Sequence, residues 1–159
     1  MKEIHLTQGK VALVDDDDYD RIIAMGKWKI SDTGYANKTI HIRYEGNKRI
    51  MKSIRMHRFI VNAPNKMEVD HRDGNPLNNQ KSNLRLSTRS QNMMNRKVSE
   101  NSKTGFKGVV IYRDEYKAQI KINGKSICLG YFKDKIEAAR VYNEAAIKYH
   151  GEFAKLNPI

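Results

Sequence analysis

Cysteine is nearly absent: Cys128 is the only one in 159 residues. One thiol rules out an intrachain disulfide and suits a reducing compartment. With no CxxC, the tetrahedral Cys/His sets of structural zinc are missing too. Cys128 itself reads as a small strand hydrophobe. Long apolar runs are also missing. Nothing approaches the roughly 20 residues needed to span a bilayer, and Met1-Lys2-Glu3-Ile4-His5 lacks a signal-peptide core. The expected location is the cytoplasm, with no membrane association. Acid is in short supply: 18 Asp+Glu stand against 30 Lys+Arg, a formal net charge of +12. So basic a chain attracts polyanions. No strongly amphipathic basic helix with an aromatic apolar face is present, which favours nucleic acid over a membrane surface.

The positive charge is spread through the chain. Residues 1–95 carry 17 Lys+Arg against 11 Asp+Glu and residues 96–159 carry 13 against 7, so each part is +6. Five of those 11 acids crowd into Asp15-Asp16-Asp17-Asp18-Tyr19-Asp20. The run lacks the Gly and distal Glu of an EF-hand loop. It reads instead as acids favouring the N-terminus of a helix through about Met25. With 39% hydrophobic and 30% charged residues the chain buries modest cores only. Its length allows one domain or two small ones.

Residues 69–95, VDHRDGNPLNNQKSNLRLSTRSQNMMN, carry the chemistry. Asp70-His71 ends a short apolar run, and Asp73-Gly74-Asn75-Pro76 is a turn former. Asn83 opens a second short run, Asn83-Leu84-Arg85-Leu86. Asn92 lies one turn into a segment that starts with a capping box, Thr88-Arg89-Ser90-Gln91. A carboxylate, an imidazole and an amide thus share a strand–loop–strand–helix unit. Strand neighbours point to opposite faces, so Asp70 and His71 share a site only if the strand ends or bulges there.

This order and spacing resemble the HNH nuclease motif, a ββα unit that holds one metal ion. The third ligand position, His in many members, is Asn here, as in the homing endonuclease branch. The resemblance implies His71 as general base and Asp70 and Asn92 as metal ligands. It gives Asn83 a supporting role, its amide tying the loop to the strand. The chemistry suits the residue types. A neutral imidazole, with an ordinary pKa of about 6.5, takes a proton from water at neutral pH. A carboxylate and an amide carbonyl are hard oxygen donors suited to magnesium or manganese. His57, on a short helical segment, reads as packing or a phosphate contact rather than a ligand.

Beyond a polar stretch at residues 96–104, strands are expected at 106–112, Tyr116 to Ile122 and 126–132. The middle strand alternates Ala118, Ile120 and Ile122 with Lys117, Gln119 and Lys121. Asn123-Gly124 is a hairpin signal. A helix follows, capped by Asp134 with Glu137 three residues on. Its apolar stripe is Ala138, Tyr142, Ala145 and Tyr149, with Ala139 and Ala146 beside them, and Gly151 is its stop. KGVV, YKAQIKI, LGYF, EAARVYNEAA and HGEFAKLN resemble the plant ethylene-response-factor DNA-binding domain. That resemblance implies a sheet face laid in the major groove. Lys107, Gln119 and Lys121 inherit contact roles, with Lys117 on the same face and Arg113 as a neighbour. Val110 stands where a second base-reading Arg is usual, and the turn at residues 112–115 is short, so no target sequence carries over. A lysine-rich solvated face is the plain alternative.

Residues 1–68 are less informative. Val11 to Val14 reads as a strand, and residues 35–44 and 48–54 as a hairpin around Glu45-Gly46-Asn47, with Ile40, Ile42 and Tyr44 on one apolar face. Trp28 reads as core. Lys48, Arg49, Lys52, Arg55 and Arg58 suit phosphate tracking. The expected fold class is α+β. Residues 1–95 form a mixed nuclease domain with its ββα core at about 68–96, 96–104 a linker, and 105–159 a three-stranded antiparallel sheet packed on one helix. The whole resembles phage and mobile-element endonucleases that join the two parts, which makes the compartment the host cytoplasm if phage-encoded. The expectation is a Mg2+- or Mn2+-dependent nicking endonuclease on double-stranded DNA. One active site cuts one strand, so a monomer is expected, with a dimer the route to a double-strand break. Two other readings stay open: a DNA-binding regulator with an inactive nuclease unit, and an RNA-binding protein.

Overall fold

The computed structural model describes residues 1–159, an α+β chain of small antiparallel sheets and four helices. Its internal contacts divide it into two compact units, Met1–Thr88 and Arg89–Ile159.

In the first unit, β1 (Lys2–His5) pairs with β2 (Val11–Val14), and α1 (Asp16–Ala24) follows. A short β3 (Lys29–Ile30) joins a long hairpin, β4 (Ala36–Glu45) and β5 (Lys48–Arg55). Next come α2 (Met56–Ile60), β6 (Glu68–His71) and β7 (Leu84–Ser87), the last two paired antiparallel. The core joins Ile4, Val14, Ile22, Trp28, Met56 and Val69. Trp28 is core as its lone large ring suggests, and its indole N–H donates to the Ile22 carbonyl at 3.0 Å.

One reading of this unit changes. The expected apolar face of the hairpin is largely in solvent, with Ile42 44% and Tyr44 63% exposed. A register shift between His41 and Arg43 breaks the alternation on which that face depended. The acid run opens α1 as expected, with Asp15 at its N-cap position and Asp16, Asp17 and Asp18 in its first turn, while the Asp15 carboxylate makes no cap bond. It accepts instead from the Lys81 backbone N–H at 2.7 Å and from Gln80 Nε2 at 3.3 Å.

The second unit begins with α3 (Arg89–Asn95). The sheet follows, in the order β10 (Lys125–Phe132), β9 (Glu115–Ile122), β8 (Val109–Tyr112). Then comes α4 (Lys135–His150), capped by Asp134, whose carboxylate accepts from the Ile136 N–H at 2.9 Å. Ala118 and Ile120 of β9 pack on Ala138, Ala139, Tyr142 and Ala146 of α4. Small side chains let that helix lie close on the sheet. β8 starts three residues later than its apolar pattern suggests. Gly108 sits at φ +73°, outside strand geometry, and any Cβ there would collide with the Tyr142 ring. At the far end of α4, Tyr149 is 49% exposed and His150 takes the buried position, its Nε2 3.0 Å from the Lys121 carbonyl oxygen. Cys128 is exposed opposite Gln119.

Candidate active site

β6 ends at His71, where the Gly74 N–H donates to the His71 carbonyl at 2.9 Å and turns the chain. Asp70 and His71 are each only 5% exposed. Asp70 lies across the two-stranded ladder from Arg85. Arg85 donates through Nε to Asp70 Oδ2 at 2.8 Å, and its Nη2 lies 2.6 Å from the same oxygen. Nothing in the sequence pattern singled out Arg85. The signal was there in the register, since a charged residue directly opposite a carboxylate on a paired strand is its natural partner.

The His71 ring lies among other rings. The His57 ring stands nearly perpendicular to it, with centroids 5.1 Å apart, and Tyr35 lies 5.9 Å away. Tyr35 also meets His57 at 5.0 Å, and the Arg55 guanidinium lies 5.1 Å from the Tyr35 centroid. Burial pulls His71 below its ordinary value of 6.5, against the opposing effects of its hydrogen bond to Asn79 and the charges of Asp73 and Asp70. His57 drops further, to about 3, through burial first and then the charges of His71, Arg55 and Arg58. His71 is therefore an uncharged base near neutral pH, beside a second histidine that stays neutral throughout.

Asn79, which the motif reading passed over, determines which nitrogen of His71 is basic. It is fully buried, and its Oδ1 lies 3.3 Å from His71 Nε2. The Asn79 Nδ2 donates to the Leu77 carbonyl at 3.1 Å, which leaves Oδ1 as the acceptor facing the ring. Nε2 then carries the proton and Nδ1 the lone pair. The loop that brings Asn79 here is held by β2. Leu13 N–H donates to the Leu77 carbonyl and Asn79 N–H to the Leu13 carbonyl, both at 2.8 Å. Asp15 grips the next two residues. The N-terminal strands are thus part of the site's scaffold.

Asn83 spans the same loop. Its Nδ2 donates to Asp73 Oδ1 at 3.0 Å and to the Asn78 carbonyl at 2.8 Å, and its Oδ1 accepts from the Asp73 N–H at 3.1 Å. Burial raises the Asp73 carboxyl, but bonds from Asn75, Asn78 and Asn83 and the charge of His71 outweigh it and bring it below its usual value. Asn92 lies on α3, in the second compact unit.

The basic candidates differ in surroundings. Arg58 is committed to the backbone, donating to the carbonyls of Met67 at 2.6 Å, Pro64 at 2.8 Å and Ala63 at 3.3 Å. Lys107 is turned toward α3, where its Nζ donates to the carbonyls of Met94 and, at 2.7 Å, of Arg96. Burial, then the charge of Lys155, brings Lys107 down to about 8. Lys117 and Gln119 are half-buried on the face away from α4 and Lys121 is exposed. Arg113 lies in the β8–β9 turn with its guanidinium 5.5 Å from the Tyr112 centroid.

The donor chemistry fits a hard divalent cation. Asp70 is a buried carboxylate, a hard oxygen donor. No three His, Cys, Asp or Glu side chains come together in the chain, so a metal here would rest on Asp70 and amide oxygens.

The family model described as HNH endonuclease matches residues 62–94, which include β6, its loop, β7 and most of α3. An uncharacterized HNH endonuclease of Acanthamoeba polyphaga mimivirus is 35% identical over 144 residues, covering 87% of this chain and 70% of its own. An alignment that long reaches into both compact units. Protein 3.8 of Escherichia phage T7 is 29% identical over 115 residues, 68% of this chain and 94% of that protein. No solved structure matches the chain significantly.

Proposed function

The chain belongs to the HNH endonuclease family, and from that premise we propose that it is a metal-dependent, strand-nicking endonuclease on double-stranded DNA. The observation that carries the proposal is His71 itself: buried, uncharged near neutral pH, and paired at Nε2 with Asn79 so that Nδ1 is the basic atom. His71 takes the proton of a water molecule at Nδ1 as the water oxygen forms its bond to phosphorus. The bond from phosphorus to one bridging oxygen then breaks. Asp70 and Asn92 would hold Mg2+ or Mn2+, which when bound neutralises charge on the phosphate and stabilises the leaving oxygen. Arg85 orients the Asp70 carboxylate through its Nε and Nη2. Arg55, whose guanidinium lies over the Tyr35 ring, would meet a phosphate.

The functional division proposed is a nuclease domain at residues 1–95 and a site-selecting sheet at 105–159 similar to the ethylene-response-factor domain. Support for the second part is the three-stranded sheet backed by one helix, with Lys117, Gln119 and Lys121 on its far side. A β-ribbon of this kind fits the major groove. A monomer nicks, and a double-strand break needs a second copy. The viral relatives suit a protein acting in a host cytoplasm, and no helix is long and apolar enough to cross a membrane. Supercoiled plasmid incubated with the protein, with and without magnesium, tests the proposal. Relaxed circles that need magnesium support it. Binding without cutting would instead mark a DNA-binding regulator with an inactive nuclease unit.

A further inference from the structure

α3 is seven residues long, and a helix so short is not stable by itself. Its one buried residue is Asn95, a polar side chain, and Met93 is 53% exposed. Between its Arg89–Met93 face and Gln119, Ile120 and Lys121 of β9 lies a cavity of about 420 Å³. A gap therefore separates this face of α3 from β9. A polar route joins α3 to the rest of the unit.

The route starts on α4. Asn143 Nδ2 donates to the Asn157 carbonyl at 3.0 Å, and its Oδ1 accepts from the Asn157 N–H at 2.8 Å. The Asn157 side chain in turn clasps the backbone of Lys107, accepting from its N–H at 2.6 Å and donating to its carbonyl at 3.0 Å. The Lys107 ammonium then bonds the carbonyls of Met94 and Arg96 at the end of α3. Those carbonyls carry the negative end of the helix dipole, where a cation is favoured. Asn92 lies two residues before Met94, about 3 Å along the helix axis. Metal–ligand distances tolerate only about 0.2 Å, so a swing of α3 by a fraction of a turn would withdraw a ligand.

We propose that Lys107 is a positioning residue for the nuclease rather than a reader of DNA, setting α3, and through it Asn92, from the C-terminal sheet. This inference rests on the reading of Asn92 as a metal ligand. Burial and the charge of Lys155 bring the Lys107 pKa down to about 8, and its role rests on the two carbonyl contacts.

The test uses the full chain with Lys107→Met, Lys107→Arg and Asn143→Ala, and Asn92→Ala in parallel. Four quantities are read: Mn2+ affinity by calorimetry, nicking rate at saturating metal, DNA affinity against salt, and the thermal midpoint. Lys107→Met should weaken Mn2+ binding and slow nicking by roughly 10–100-fold, the usual cost of losing a group that orients a ligand. DNA affinity and its salt slope should hold. Lys107→Arg should recover most of the loss, and Asn143→Ala should give a smaller loss of the same kind with the sheet still folded. A salt slope reduced by about one with Mn2+ binding intact would make Lys107 a phosphate contact and overturn the proposal. Normal Mn2+ binding and nicking in Asn92→Ala would overturn the metal assignment and the proposal together. An Asn92→Ala defect without one in Lys107→Met would overturn the positioning role alone.

Discussion

Asn79 Oδ1 and His71 Nε2 lie 3.3 Å apart, both side chains buried. That contact fixes the tautomer of the imidazole and hence the atom that can accept a proton. An imidazole free to hold its proton on either nitrogen would spend part of its time with the wrong one protonated. The backbone bonds from Leu13 keep Asn79 where this choice is made.

Asn79→Ala should therefore slow nicking by about 10–100-fold, less than loss of the base itself. Asn79→Asp keeps an acceptor but adds a negative charge, which favours the imidazolium. Since His71 lies below 6.5 in the wild type, the acid limb of its rate–pH profile should fall below that value and move upward in Asn79→Asp. Rate against pH for both variants checks this. A profile that Asn79→Asp leaves in place would detach Asn79 from the base.

The buried pair of Asp70 and Arg85 couples stability to chemistry. Removing one partner leaves an uncompensated buried charge, at a cost of about 3–5 kcal/mol. Asp70→Ala should lower the urea midpoint and abolish nicking, whereas the double variant Asp70→Ala/Arg85→Leu should regain stability without regaining activity. If the double variant nicks, Asp70 serves only the fold.

Much of this was readable in the residues. Asp70, His71 and Asn83 carried the motif, and period-two alternation in Lys117 to Ile122 marked the strand that packs on α4. What escaped were contacts between distant segments. Arg85 needed the β6–β7 register, and Asn79 needed the loop's path along β2. Asp15 does open α1 as the acid run suggested, but its bonding partners, 65 and 66 residues away, lay beyond the sequence pattern. The late start of β8 came from Gly108, whose positive φ the apolar run could not reveal. The apolar face of the β4–β5 hairpin failed for a local reason, a bulge that resets the alternation.

His57 makes an acid-sensitive fold. Its folded value is about 3 against an ordinary 6.5, so below 6.5 the unfolded chain binds the proton first. Stability should fall as pH drops from 6.5 toward 3, with this group contributing up to about 1.4 kcal/mol per pH unit. His57→Phe should remove that contribution. Urea midpoints at pH 7 and pH 4 for both proteins measure it, and parallel losses would show that His57 is not the group responsible.

Gln119→Ala and Lys121→Ala should relax preference at particular base pairs, each contact giving about 1–3 kcal/mol of discrimination. The rate of the chemical step should not change. Cleavage positions on one long duplex provide the readout. A uniform loss of affinity across all sequences, with a shallower salt dependence, would make them phosphate contacts.

The most direct measurement is nicking of supercoiled plasmid by His71→Ala and wild type in magnesium, with DNA affinity measured on the same duplex. The base assignment predicts a loss of roughly 10²–10⁴-fold in rate with affinity near wild type. His71→Ala cutting at the wild-type rate would contradict it.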